Sequence, residues 1–173
     1  LAGSNSHGGG TTVTGGTLQI GDDSALGAVG GALTLDGGTL RIPTGAVLAL
    51  APGRLLVVDD GGGRIDTRGA DSQLSLAGPV SGLGRGGLTK AGAGRLVLAA
   101  DNSGFAGDVA VTGGQLQLDH AAALGPANAV VLDTATTLGV GSGVAQTVQL
   151  AALTGSGSVA LAAGATLDLA GTG

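Results

Sequence analysis

Short runs in which apolar and polar residues alternate recur along this chain. In Ala32-Leu33-Thr34-Leu35 and Thr39-Leu40-Arg41-Ile42, the residues Leu33, Leu35, Leu40 and Ile42 fall on one side, and Thr34 and Arg41 on the other. A two-residue period puts successive side chains on opposite faces of a strand, so the pattern predicts strands with an apolar face turned inward. Gln115–Leu118 and residues 165–169 follow the same scheme. Helical periodicity is nearly absent. Residues 119–124 are Ala-rich, but Pro126 follows and the related stretch 21–26 is poor in helix formers, so 119–124 reads as a loop or a single helical turn.

The strand-like runs come in pairs. First members begin near Thr11, Ala32, Ala46, Arg64, Leu88, Asp108, Ala129 and Thr147; second members begin near Thr17, Thr39, Leu55, Gln73, Arg95, Gln115, Thr136 and Ser158. Each series advances by roughly 20 residues, a step in the range of solenoid repeats. A longer repeat overlies it. Residues 13–27 read VTGGTLQIGDDSALG and residues 111–125 read VTGGQLQLDHAAALG, with about nine of fifteen positions identical. Gly pairs (Gly15-Gly16, Gly37-Gly38, Gly113-Gly114) stand between strands, where a tight corner needs positive φ and close approach. The expected fold is all-β: a single parallel β-helix of about eight coils, continuous over 1–173. Residues 57–63 are the one candidate linker, but strands resume at Arg64-Ile65-Asp66-Thr67, which favours a longer loop between coils.

Composition sharpens this picture. Gly supplies 38 of the 173 residues, yet 43% of the chain is hydrophobic, which excludes a disordered Gly/Ser linker. The apolar residues are Leu, Val and Ala, and Phe105 is the only aromatic, which suits a narrow interior of stacked rows. All 12 acids are Asp, Lys90 is the only lysine, and the net charge is −5 without a basic stripe. Nucleic acid and anionic membranes are therefore poor partners. No apolar run approaches the ~18–20 residues of a membrane helix. There is no cysteine. Either a reducing compartment or a chain that must stay unlinked while crossing an oxidising one accounts for that. The chain opens on Leu1 without a leader, so it reads as an excised segment.

The stretch 80–118, VSGLGRGGLTKAGAGRLVLAADNSGFAGDVAVTGGQLQL, resembles the autotransporter-associated β-strand repeat, also called the passenger-associated transport repeat, of type V secreted proteins. The family pattern is G-x-G-G-L-x-K-x-G-x-G-x-L-x-L, then Asn, an aromatic, Gly and a strand leading to V-x-G-G-x-L. Gly84, Gly86, Gly87, Leu88, Lys90, Gly92, Gly94, Leu96, Leu98, Asn102, Phe105, Gly107, Val111, Gly113, Gly114 and Leu116 occupy it. A truncated copy opens the chain, with His7 at the aromatic position and one residue fewer after Asn5. The copies fall at about 1–27 and 80–125. The resemblance implies a right-handed β-helical passenger on the bacterial surface, exported across the outer membrane of a Gram-negative cell by a C-terminal barrel of the same polypeptide. It also suggests that Lys90 bonds the turn of the next coil; the alternative is a solvated charge. Phe105 is expected to plug the 102–107 loop and Asn102 to cap it.

Catalytic and ligand motifs are weak. Gly155-Ser156-Gly157-Ser158-Val159-Ala160 fits a loose dinucleotide fingerprint, but a strand follows where a helix is required. Residues 61–66 place Arg64 where a calcium nonapeptide needs Gly, leaving Asp22-Asp23 and Asp59-Asp60 as turn aspartates. His7 and His120 sit in loops of related copies; Ser142 and Ser156 lie between glycines without a G-x-S-x-G elbow. A sugar-cleaving β-helix would need clustered acids and aromatic platforms, and no Trp or Tyr is present. The expectation is a non-enzymatic passenger segment without cofactor or metal, serving as a folding and export stalk, with an adhesive or self-associating face as the alternative.

Overall fold

The computed structural model describes residues 1, 3–82, 85–141 and 147–170. Among these, every strand pairing is parallel, and the strands stack as three long sheets and one pair. The first sheet holds Thr11–Val13, Leu33–Leu35, Leu56–Val58 and Val80–Ser81. The second holds Thr17–Gln19, Gly38–Ile42, Gly63–Thr67, Leu88–Ala91, Val109–Val111, Ala129–Leu132 and Ala152–Gly155. The third holds Val47–Leu50, Gln73–Leu76, Arg95–Leu98, Gln115–Leu118, Thr137–Val140 and Ser158–Leu161. Thr147–Leu150 pairs with Thr166–Leu169. Over the described residues the chain is an all-β parallel solenoid of about seven turns, one for each strand of the second sheet, close to the eight expected.

The two-series reading of the strands mixes faces. Ala46 leads into the third sheet and Leu55 into the first, although the even step assigned them to the same series as Ala32 and Thr39. The cause is coil length. The step runs from Val47↔Gln73 at the long end to Thr147↔Thr166 at the short end, so a constant period drifts from face to face.

Alternation fills the interior as expected. Leu33, Leu35, Leu40 and Ile42 are buried, and Thr34 and Arg41 are half-exposed. On the third sheet Leu74, Leu96, Leu116 and Leu138 stack in register as one buried row. Close packing of like side chains along such a row is what a solenoid offers in place of a globular core. At the last described coil Leu161 and Leu169, which continue inward rows, are about half exposed.

The two glycines of the Gly37-Gly38 corner divide their work. Gly37 has φ +87°, which L side chains rarely adopt, whereas a Cβ on Gly38 would run into Val13 of the neighbouring coil. Residues 59–62 form a turn closed by Gly62 N–H to the Asp59 carbonyl, and the flanking strands belong to sheets that continue on both sides. One short 3-10 helix, Asp23–Leu26, forms where helix formers looked too few. Asp22 caps it, its side chain accepting from Ser24 N–H at 2.9 Å. In the related stretch, His120 Nδ1 accepts from Ala122 N–H and the segment stays a turn.

Candidate functional site: side chains that join coils

Lys90 lies in an inward row of the second sheet, in register between Ile65 and Val111. Its stem therefore packs where its neighbours place aliphatic side chains, and the residue has no exposed surface. It is not a solvated charge. The ammonium turns to the corner and donates to the carbonyls of Ala91 (2.8 Å), Gly92 (2.8 Å) and, in the next coil, Gly113 (2.9 Å). Three protons meet three acceptors, which satisfies the group. Burial still pushes its pKa down to about 8, while Asp66 pulls it up and Arg64 adds to the depression.

Asn102 is also buried, and it acts across coils instead of capping its own loop. Its Oδ1 accepts from Val80 N–H of the preceding coil at 2.7 Å, and its Nδ2 donates to the Ala123 carbonyl of the following one at 3.0 Å. A buried amide must satisfy both ends, and only the adjacent coils offer partners here. The loop itself is closed by main chain, Phe105 N–H to the Asn102 carbonyl. Phe105 is 3% exposed and forms an isolated parallel bridge with Gly82. A Cβ on Gly107 would come within 2.8 Å of the Phe105 ring, so that position has room only for glycine.

The opening of the chain repeats the arrangement. Asn5 Nδ2 donates to the Ala25 carbonyl at 2.7 Å, and its N–H donates to Ser24. Ser24 and Ala25 occupy the same places in their copy as Ala122 and Ala123 do in theirs. Asn102 N–H bonds the Ala122 carbonyl accordingly. His7, at the place of Phe105, is exposed and lies 3.1 Å from Thr11 Oγ1.

The passenger-associated-transport-repeat family matches residues 1–20 and 88–118. The chain carries passenger-associated transport repeats of an autotransporter passenger. Over 122 residues, 70% of this chain, it is 39% identical to the "Adhesin BmaC autotransporter" of Brucella suis biovar 1 (strain 1330), and it spans 3% of that protein's length. No solved structure matches it. Both matched repeats stop just short of the loops that Asn5 and Asn102 grip.

Other buried polar groups in and between the repeats lay outside the sequence pattern. Asn128 donates from Nδ2 to Phe105 (3.0 Å) and Gly107 (2.8 Å) and accepts from Gly125 N–H at 2.7 Å. Ser72 Oγ donates to the Pro43 carbonyl and accepts from Gly45 and Gly69. Arg54 is 1% exposed, and its guanidinium is held by Asp23 and the carbonyls around it. Its only sequence signal was a cation beside Pro52-Gly53 amid apolar residues, which also fits an exposed turn. Among the described residues no buried side-chain N or O lacks a partner.

The remaining candidates are occupied in turns and surface pairs. Asp22 caps the 3-10 helix, and hydrogen bonding from Ser24 holds its carboxyl below the usual range. Asp23 pairs with Arg54, Asp66 with Arg41, and Asp60 Oδ1 accepts from Arg85 N–H. Ser156 Oγ lies 2.9 Å from Thr134 Oγ1. Strand Ser158–Leu161 follows Gly155-Ser156-Gly157, so no helix N-terminus faces a phosphate there. Ser142 and Gly84 lie outside the described residues. A hollow of about 460 Å³ follows the glycine corner of coils two to five, its rim bearing Arg64 and Arg85 against Asp60 and Asp108. Opposite charges in equal number leave it without a directed field for a charged ligand.

Proposed function

We propose that this segment is a structural stretch of a surface-exposed autotransporter passenger that supports coil-by-coil folding during export across the outer membrane and then serves as a stalk. The observation that supports it most is that polar side chains of the repeats end on the backbone of neighbouring coils: the buried Lys90 on Gly113, the buried Asn102 on Val80 and Ala123, and the half-buried Asn5 on Ala25. Each coil completes the hydrogen bonding of the one beside it, so stability is a chain of nearest-neighbour terms and folding can advance from one end. A segment emerging from a pore would then be held outside by each coil that closes, without an external energy source. The partners under this reading are the adjoining coils and the C-terminal barrel of the same polypeptide, and the location is the bacterial surface.

The test is surface display of the full passenger carrying Leu98→Asp. Leu98 is buried in register between Leu76 and Leu118, so the carboxylate would sit unpaired in the row. Protease-sensitive or undisplayed passenger is the expected result; normal display would sink the proposal. The Brucella relative is named an adhesin, which favours a second reading in which this surface is itself adhesive or self-associating. Display intact but adherence lost after substitution of outward residues such as Thr39 and Thr89 would favour that reading.

A further inference from the structure

Arg54 sits where the third coil begins, and every bond its guanidinium makes runs back to residues 23–31. Nε donates to Asp23 Oδ1 at 2.6 Å and Nη2 to Asp23 Oδ2 at 3.1 Å, a two-point pairing with the carboxylate. Nη2 also donates to the carbonyls of Gly27 (2.9 Å) and Asp23 (3.4 Å), and Nη1 to those of Gly31 (2.9 Å), Leu26 (3.4 Å) and Ala28 (3.4 Å). Five carbonyls of one loop thus converge on a single cation whose side chain has no exposed surface.

That convergence has a cost when the cation is missing. The last carbonyls of a helical turn lack intrahelical donors and carry partial negative charge. Aimed at one point, these oxygens repel one another; Leu26 also accepts from Thr11 Oγ1 at 3.3 Å and Ala28 from Gly31 N–H at 2.9 Å, whereas Gly27 and Gly31 take the shortest carbonyl bonds from Arg54, 2.9 Å each. The loop is gripped from its other side by Asn5, through Ser24 and Ala25, and by the His7 carbonyl, which accepts from Ala28 N–H. Loss of the closed loop would therefore reach residues 5–7 as well. The second copy closes its loop differently, with the neutral Asn128 inside the loop itself.

We propose that Arg54 is a latch: residues 23–31 take their closed form only when the coil carrying Arg54 has docked, so that the opening repeat and the coils after it become ordered together. This goes beyond the stalk reading and does not depend on export, because it concerns order within the folded chain.

Amide hydrogen exchange on the 173-residue chain tests it. In Arg54→Ala, the amides of Ala25, Gly27, Ala28 and Gly31 should exchange faster by about tenfold or more, a local opening, while those of Leu96 and Leu116 keep their protection. Low millimolar guanidinium, against sodium chloride at the same ionic strength, should refill the cradle and restore protection in Arg54→Ala but leave the wild type unchanged. Asp23→Asn retains the carbonyl cradle and should give a smaller loss confined to the same loop. Unchanged loop protection in Arg54→Ala overturns the latch. So does a uniform loss over the whole chain, or a loop-confined loss that guanidinium does not reverse. Should Arg54→Ala fail to fold, Asp23→Asn decides alone: loop-confined loss supports the latch, and none overturns it.

Discussion

Residues 13–27 and 111–125 are near-copies, yet they occupy different faces of the solenoid. The strands of the opening copy, Thr11–Val13 and Thr17–Gln19, lie in the first and second sheets; those of the later copy, Val109–Val111 and Gln115–Leu118, lie in the second and third. The corner is built alike in both copies, with Gly16 and Gly114 at matching positive φ. Two strands meet at a Thr-Gly-Gly corner, and a loop follows that accepts from an Asn of the coil before. The repeat therefore specifies a corner and a loop, and the coils around it decide which face it lands on. The copies also hold their loops by different means. The later one buries Phe105 and uses Asn128, whereas the opening one leaves His7 in solvent and depends on Arg54.

Paired substitutions would break or sharpen this contrast. The largest effect is expected for a charge in the interior. Leu116 is fully buried between Leu96 and Leu138, while Leu18, its counterpart, is half-buried at the edge of its sheet. Leu116→Asp should cost about 4–5 kcal/mol or more in urea unfolding, and Leu18→Asp clearly less. Equal losses would mean that the two copies are equivalent after all.

Next comes the aromatic position. Phe105→Ala removes a buried ring and should cost about 3–5 kcal/mol. His7→Ala, at the matching position, should stay within about 0.5 kcal/mol. A large loss at His7 would show that the opening copy relies on its own loop residue and not on the coil that follows.

The smallest is a slope with pH. Lys90 has a folded value of about 8 against the ordinary 10.5. Below both values the ammonium is charged in either state and the burial penalty is present in full. Between them the unfolded chain holds the proton and the folded chain does not, so stability rises with pH across this window. Lys90→Met should abolish that rise. A wild-type curve that falls there, or a Met variant with the same slope, contradicts the burial assigned to Lys90.

Much of this architecture was legible because it is local. Alternation of Leu33, Leu35, Leu40 and Ile42 with Thr34 and Arg41 dictates a strand and its inward face wherever the strand ends up. Gly pairs dictate corners for a similar reason, since positive φ and missing Cβ atoms are properties of single residues. The repeat itself was visible as a pattern of types at fixed spacing, and its Lys90, Asn102 and Phe105 all sit at coil junctions.

What the chain's letters left undecided depends on residues brought together from one coil to the next. Face assignment was lost at Ala46 and Leu55, because each longer coil shifts the phase of those after it and no single stretch records the sum. Lys90 was open between solvent and turn because its stem length allows both; the register with Ile65 and Val111 turns it inward. Arg54 was silent for the same reason. A guanidinium after Pro52-Gly53 suits any exposed turn, and only stacking the third coil on residues 23–31 brings Asp23 and the five carbonyls around it. Strand and corner follow from covalent geometry and side-chain period, whereas the partners of a buried charge follow from which backbone the neighbouring coil delivers.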